Sequence, residues 1–300
     1  MRRVFTIFGL LAICSGQILG HGDDSHFQAR QDVQVKTSKV TGNVYMLQGR
    51  GGNIGALVGA DGILIVDDDY KALSAKLAAA LKELGSEKPR FVLNTHWHGD
   101  HTEGNEFFGK DSTIVAHVNV RKRLLSPPVI FGQKTPPYAS FALPIVTYTE
   151  SMSLHINGEE VRLVHYPNGH TDGDTVVFFQ NANVVHLCDD FFLGRFPFVD
   201  LDSGGSVQGM IDVVATLIKQ IPADAKLIPG HGPLATLDDL KVYHQTLVDT
   251  SNLIQAEMKK GRSLDEIKKA GLPEKYKEWG SGFIKTDFWI DTVHRSYSRK

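Results

Sequence analysis

The residues with the most chemical content lie in one short run, Thr95-His96-Trp97-His98-Gly99-Asp100-His101. His96, His98, Asp100 and His101 can each offer a lone pair to a cation. They follow Arg90-Phe91-Val92-Leu93-Asn94, an apolar run of strand length. At the end of a strand, residues two apart point to the same side, so His96 and His98 can converge on one ion. Gly99 permits a tight turn, which aims Asp100 and His101 at a second ion beside the first. Imidazole with carboxylate is a ligand set that suits zinc. A lone histidine is ordinarily a core or surface residue, but an HxHxDH cluster directly after an apolar strand reads as a metal site.

Three further loops carry ligand-type residues, each after an apolar run. They are His170 in Gly169-His170-Thr171-Asp172-Gly173-Asp174, Asp189 after Val184-Val185-His186-Leu187, and His231 in Pro229-Gly230-His231-Gly232-Pro233. His117, at a strand end, is expected to be structural. His155, His165, His186, His244 and His294 are expected to be structural or on the surface.

The elements that must position these loops are legible as pattern. Short apolar runs at 33–35, 44–47, 54–58 and 63–66, punctuated by glycines, predict an antiparallel meander. Asp67, Asp68 and Asp69 follow it. Capping of the next helix is their expected role, with contact to a metal-bound histidine as the alternative. Leu73, Leu77, Leu81 and Leu84 share one face and predict a helix over 70–84, stopped by Gly85. A short helix is expected over 103–108, a strand over 113–116 and a helix over 118–125. Residues 126–144 hold five prolines with Phe131, Tyr138 and Phe141 between them. This stretch reads as a long loop without regular structure, either overhanging a site or connecting elements at the surface.

Strands are expected again over 146–148, 152–156, 161–166, 176–179 and 184–187, with a turn at Asn157-Gly158. A helix over 207–221, a short buried strand over 225–228 and a helix over 237–260 complete the pattern. Strands leading into helices, twice over, suit one α+β domain in which two sheets pack face to face with helices outside. That domain is expected over 33–300, with a helical extension from about residue 261 and a break at 280–282.

In order and context, His96 to His101, His170, Asp189 and His231 resemble the metal motifs of the metallo-β-lactamase superfamily, over roughly residues 35–250. The resemblance implies a four-layer αβ/βα sandwich and two zinc ions, with iron or manganese as alternatives. It implies that His96, His98 and His170 hold the first ion, that Asp100, His101 and His231 hold the second, and that Asp189 bridges them. The chain departs from the superfamily pattern at Cys188, where glycine is usual. A slip of one residue would make Cys188 the ligand in place of Asp189. Asp190-Phe191-Phe192 continues the bridging-carboxylate pattern, so Asp189 is the expected ligand and Cys188 an inert buried residue. This likens the site to glyoxalase II, lactonases and related hydrolases rather than to β-lactamases with a cysteine ligand.

The activity implied is that of an exported dinuclear zinc hydrolase. Two zinc ions ~3.5–4 Å apart can hold a water and lower its pKa towards ~7, giving a bridging hydroxide that attacks a small acyl substrate. A β-lactam, lactone, ester or thioester would serve. Asp100 is the expected catalytic carboxylate, on the second ion and orienting the hydroxide. No GxSxG elbow suggests a serine nucleophile instead. The competing readings are a mononuclear iron enzyme resembling persulfide dioxygenases and a periplasmic metal-binding protein without catalysis. The complete second-ion set, including His101 and His231, argues against the iron enzyme.

The net charge of −2 and the 42% hydrophobic fraction fit a globular chain with a sizeable core and supply no basic footprint for nucleic acid. Arg2, Arg3 and the apolar stretch Val4 to Ile13 make residues 1–20 read as a secretory signal, and 21–32 as a disordered lead-in. Lipid attachment at Cys14 and an uncleaved membrane anchor are the alternatives. Export would make the protein secreted or periplasmic. Cleavage would leave Cys188 as its single cysteine, so no disulfide within the chain is expected. A small-molecule substrate is the expected partner, with no nucleic acid and no membrane span after cleavage.

Overall fold

Period-two alternation along the strands decides the layering. In β4 (Leu64–Val66), Leu64 and Val66 face one cluster of buried residues while Ile65 and its neighbour Ile63 face another. In β12 (Thr175–Phe179), Val177 and Phe179 join the first of those clusters and Val176 turns to a third. Side chains that alternate between two apolar environments require a sheet covered on both faces.

The computed structural model describes residues 33–299, so the signal-peptide and lead-in readings fall outside the described residues. Two large sheets result. The first comprises β1 (Lys36–Thr41), β2 (Val44–Gln48), β3 (Ile54–Leu57), β4, β5 (Phe91–Asn94), β6 (Thr113–His117) and β9 (Val146–Tyr148), in that spatial order. The second comprises β10 (Ser151–Ile156), β11 (Glu159–His165), β12, β13 (Val184–His186) and β14 (Lys226–Ile228). Each begins as an antiparallel meander and ends in parallel pairing, at β4–β5–β6–β9 and at β13–β14.

The inner faces of both sheets share one core, in which Val44, Leu57, Val66 and Leu93 meet Leu163, Val177, Val184 and Ile228. Helix α1 (Ser74–Glu83) covers the outside of the first sheet through Leu77, Ala78 and Leu81. The outside of the second is covered by α5 (Val207–Gln220), α6 (Leu237–Lys259) and α8 (Thr286–Ser298), with Met210, Leu217, Tyr243 and Trp289 fully buried. This is the expected α+β sandwich of four layers. Helices α2 (Gly99–Thr102), α3 (Asn105–Phe108), α4 (Val118–Leu125) and α7 (Leu264–Ala270) complete the set.

Several local expectations are corrected. β1 begins at Lys36, and 33–35 lie outside it. The helix expected over 70–84 splits into a 3-10 turn, Lys71–Leu73, followed by α1. Residues 126–144 are not free of regular structure: β7 (Val129–Ile130) and β8 (Gln133–Lys134) form a hairpin. None of Asp67, Asp68 and Asp69 caps the turn or α1 with its side chain. Gly99 has no positive φ. The chain turns there by starting α2, whose single turn carries Asp100 and His101.

Candidate metal centre

The loops that leave β4, β5, β11, β13 and β14 at their carboxyl ends meet at one edge of the sandwich, the usual place for ligands beside parallel strands. They bring all seven expected ligand residues together, in two groups. His96, His98, His170 and Asp189 offer donor atoms within 4.8 Å of one another, and so do Asp100, His101 and His231.

In the first group, His96 Nε2 lies 3.1 Å and His170 Nε2 2.8 Å from His98 Nδ1. In the second, Asp100 Oδ2 lies 3.5 Å from His101 Nε2 and 3.4 Å from His231 Nε2. Asp189 stands between the groups. Its Oδ1 is 3.3 Å from His101 Nε2, and its Oδ2 is 3.4 Å from His231 Nε2 and 3.5 Å from His170 Nε2.

The outward-facing ring nitrogens fix the tautomers. His170 Nδ1 donates to the Phe198 carbonyl at 2.7 Å, His98 Nε2 to Asp200 Oδ2 at 3.1 Å and His101 Nδ1 to Asp67 Oδ2 at 2.7 Å. His96 Nδ1 lies 3.0 Å from Thr95 Oγ1, whose own hydroxyl donates to Asp67 Oδ2 at 2.8 Å. An imidazole that donates outward presents a bare lone pair inward when neutral. His96 Nε2, His98 Nδ1 and His170 Nε2 therefore aim three lone pairs at one point, an arrangement that repels itself without a cation. Among the described residues, His101 Nε2 and Asp189 Oδ1 are buried and face each other without a hydrogen bond. These donors fit a metal pair: nitrogen and oxygen ligands with a partner behind each of four imidazoles.

The surroundings leave little room for alternatives. A Cβ on Gly52 would fall 2.1 Å from His101 Cε1, and one on Gly230 would fall 2.1 Å from Asp189 Oδ1. Both glycines are required by close approach of backbone to ligand. The His170 loop is tied down by Arg123, whose guanidinium grips Asp172 with two bonds of 2.7 and 2.8 Å, and by Asp174, which accepts from Thr171 N at 2.7 Å.

The electrostatics differ between the groups. Burial pushes the pKa of His96 well below the usual imidazole value and that of His170 down to about 4. Burial acts the same way on His101 and His231, but carboxylates outweigh it. Asp189 and Asp100 hold His231 up at about 9, and with Asp67 they hold His101 well above its ordinary value. In return, against the effect of burial, His101 and His231 hold Asp100 down at about 2.

Three residues behind the ligands were less legible. Asp67, read mainly as a cap, supports His101 and Thr95 instead. Asp200 was missed: it sits in an aperiodic loop and approaches His98 only through the fold. A continued strand would put Cys188 and Asp189 on opposite faces, yet Cys188–Asp190 is a 3-10 turn. Its Sγ lies 3.4 Å from His96 Nδ1, the outward nitrogen, while Asp189 faces the inward ones. Its φ of 55° explains why glycine suits that position. His117, expected to be structural, stacks on His165 with ring centroids 3.8 Å apart.

The sequence model of the metallo-beta-lactamase superfamily matches residues 39–252. The chain belongs to that superfamily. Among solved structures it is similar to the stereoselective inverting sec-alkylsulfatase Pisa1 from Pseudomonas sp., with a TM-score of 0.67, 14% identity and coverage of 88% of this chain and 50% of that one. It is also similar to the DIM-1 metallo-beta-lactamase, with a TM-score of 0.59 and 16% identity over 73% of this chain and 100% of that one. The metallo-beta-lactamase from Pontibacter korlensis gives 0.59 and 15%, over 71% and 99%. At these identities the likeness shows the shared fold. The chain spans about half the length of the alkylsulfatase. No curated protein sequence matches it.

Proposed function

We propose that the protein is an exported, dinuclear zinc-dependent hydrolase of small acyl substrates. The observation that carries this reading is Asp189, whose carboxylate reaches both histidine groups: Oδ1 towards His101, and Oδ2 towards His231 and His170. His96, His98 and His170 would hold one ion, Asp100, His101 and His231 the other, and Asp189 both. Bound there, a zinc pair supplies an acidified water and Lewis acidity for the bond to be cleaved.

The chain's own residues do the rest. Asp67, Thr95, Asp200 and the Phe198 carbonyl keep four imidazoles in the tautomer that presents a lone pair inward. Asp100, ionised at neutral pH, places a carboxylate where it can accept and orient a proton of the attacking water. The complete second group, Asp100, His101 and His231, favours two ions over one. Export is supported by Arg2, Arg3 and the apolar run Val4 to Ile13.

Elemental analysis of the purified protein and a screen of its zinc-loaded form against β-lactams, lactones, esters, thioesters and sulfate or phosphate esters test the reading. Two zinc ions per chain and turnover of an acyl substrate are expected. One tightly held iron and no zinc would overturn it.

A further inference from the structure

Aromatic rings from distant stretches of chain gather beside the first histidine group. Phe198 lies against His98 and His170, with ring centroids 5.6 and 5.9 Å apart. Phe131 lies 5.0 Å from Phe198, 5.7 Å from Phe283 and 5.9 Å from Phe288, and Phe288 is 6.2 Å from Phe198. Phe131 and Phe283 remain 54% and 78% exposed. Single exposed phenylalanines are ordinary; a contiguous set is the mark of a binding surface.

Each ring has a built support. The pairing Ile130↔Gln133 leaves Phe131 and Gly132 as a two-residue turn with φ of 48° and 76°. That mirror-image turn favours asparagine and glycine, so a phenylalanine at its first position is strained. The hairpin's base is fixed: Ile130 and Tyr138 pack on the cluster of Trp97, Val120 and Leu124, and Tyr138 Oη lies 3.0 Å from Thr102 Oγ1. The segment bearing Phe283 is joined to the Phe198 loop, where Phe196 N donates to the Trp279 carbonyl at 2.9 Å, and is anchored by buried Ile284. Phe283 and Phe288 lie beyond residues 39–252, so the shared domain does not supply them.

We infer that Phe131, Phe198, Phe283 and Phe288 form an apolar mouth on the first-group side of the site, which takes the hydrocarbon part of the substrate, a straight alkyl chain or an aryl group. The inference rests on the hydrolase reading for what lies at the floor of the mouth. A small molecule's apolar arm is the occupant because the surface runs without a break into the ligand rings through Phe198. Strain held at Phe131 is tolerated where it projects a ring over a site, and the prolines around it limit how far that ring can swing.

The test compares the zinc-loaded full chain with F131A, F283A and the double variant on 4-nitrophenyl acetate, butyrate, hexanoate and octanoate. A fully buried methylene strengthens binding about fourfold, so kcat/KM should climb steadily with chain length. In the double variant the ratio of octanoate to acetate should fall at least tenfold. Hydrolysis with no dependence on chain length would overturn the mouth and leave the hydrolase reading standing.

If no ester is cleaved, the reading of the floor fails for esters, and binding of the neutral dye N-phenyl-1-naphthylamine decides the mouth. Saturable one-site binding, weakened at least tenfold in the double variant, upholds it; equal binding overturns it. Self-association or adsorption to phosphatidylcholine vesicles that disappears in the double variant would reassign the patch to a macromolecular surface and overturn it as well.

Discussion

Asp67 holds His101 from behind: its Oδ2 accepts from His101 Nδ1 at 2.7 Å, fully buried on both sides. The same oxygen accepts from Thr95 Oγ1, which stands 3.0 Å from His96 Nδ1. One carboxylate thereby orients a histidine in each metal group. Asp67→Asn keeps the size and removes the charge. It should weaken zinc binding by about 10- to 100-fold, the usual loss when a partner behind a ligand is altered. The ion on His101 should suffer first, because its contact is direct. Titration against a competing chelator measures this, and unchanged affinity at both steps would contradict the role given to Asp67.

Metal uptake should depend on pH more strongly at one group than at the other. Burial keeps His96 and His170 neutral at pH 7, so neither has a proton to lose. His231 stays protonated up to about pH 9, because Asp189 and Asp100 outweigh burial, and His101 is raised likewise. Binding at Asp100, His101 and His231 must expel these protons, so its affinity should rise between pH 7 and about 9. At the other group, His96 and His170 have no proton to give up, so fewer protons should be released there. Calorimetry in buffers of different ionisation enthalpy should find proton release concentrated in one of two steps, and equal release in both would be the contrary result.

The same shifts set a stability trend for the metal-free protein. A histidine whose folded pKa is raised contributes stability that is complete below its unfolded pKa, ~6.5. That contribution is lost as pH rises through the folded value, about 9 for His231. Urea unfolding of chelator-treated protein should therefore show stability falling from pH 6.5 to 9.5, while zinc-loaded protein, with these histidines deprotonated already, should lack this fall. Stability that rises over the interval in the metal-free form would show that the carboxylates do not hold these imidazoles protonated.

Asp100 should matter for rate more than for folding. Its carboxylate is partly exposed at the floor of the site and supports no core packing. Asp100→Asn should cost ~10²-fold or more in turnover, the scale for one preorganised electrostatic group. The thermal transition should stay near that of the parent protein. Full activity in Asp100→Asn would remove Asp100 from the chemistry.

Cys188 and Asp189 are neighbours with opposite orientations, so their substitutions should separate cleanly. Cys188→Ala leaves every inward-facing donor in place and should retain metal content and rate. Asp189→Ala removes the one carboxylate shared by both groups and should lose metal and turnover together. Mass spectrometry under native conditions reads the metal count directly, and the reverse pattern would assign the sulfur, not the carboxylate, to the metals.

The candidate ligand residues and the layering were legible in the sequence because their signals are local. His96, His170, Asp189 and His231 each follow an apolar run of strand length, and the period-two pattern in residues such as 63–66 assigns each side chain to one face of a sheet. Tertiary structure alone decided what stands behind the ligands. His98 and Asp200 are 102 residues apart, and no periodicity or turn chemistry links them. Asp67 could cap or support from its sequence context; the parallel pairing of β4 with β5 puts it beside Thr95 and His101. The side of Cys188 was settled by a left-handed φ inside a 3-10 turn, where strand alternation does not apply. Phe131, Phe198 and Phe283 carry no mutual signal at all, because exposed aromatic residues far apart in a chain become one surface only when packing closes the distance between them.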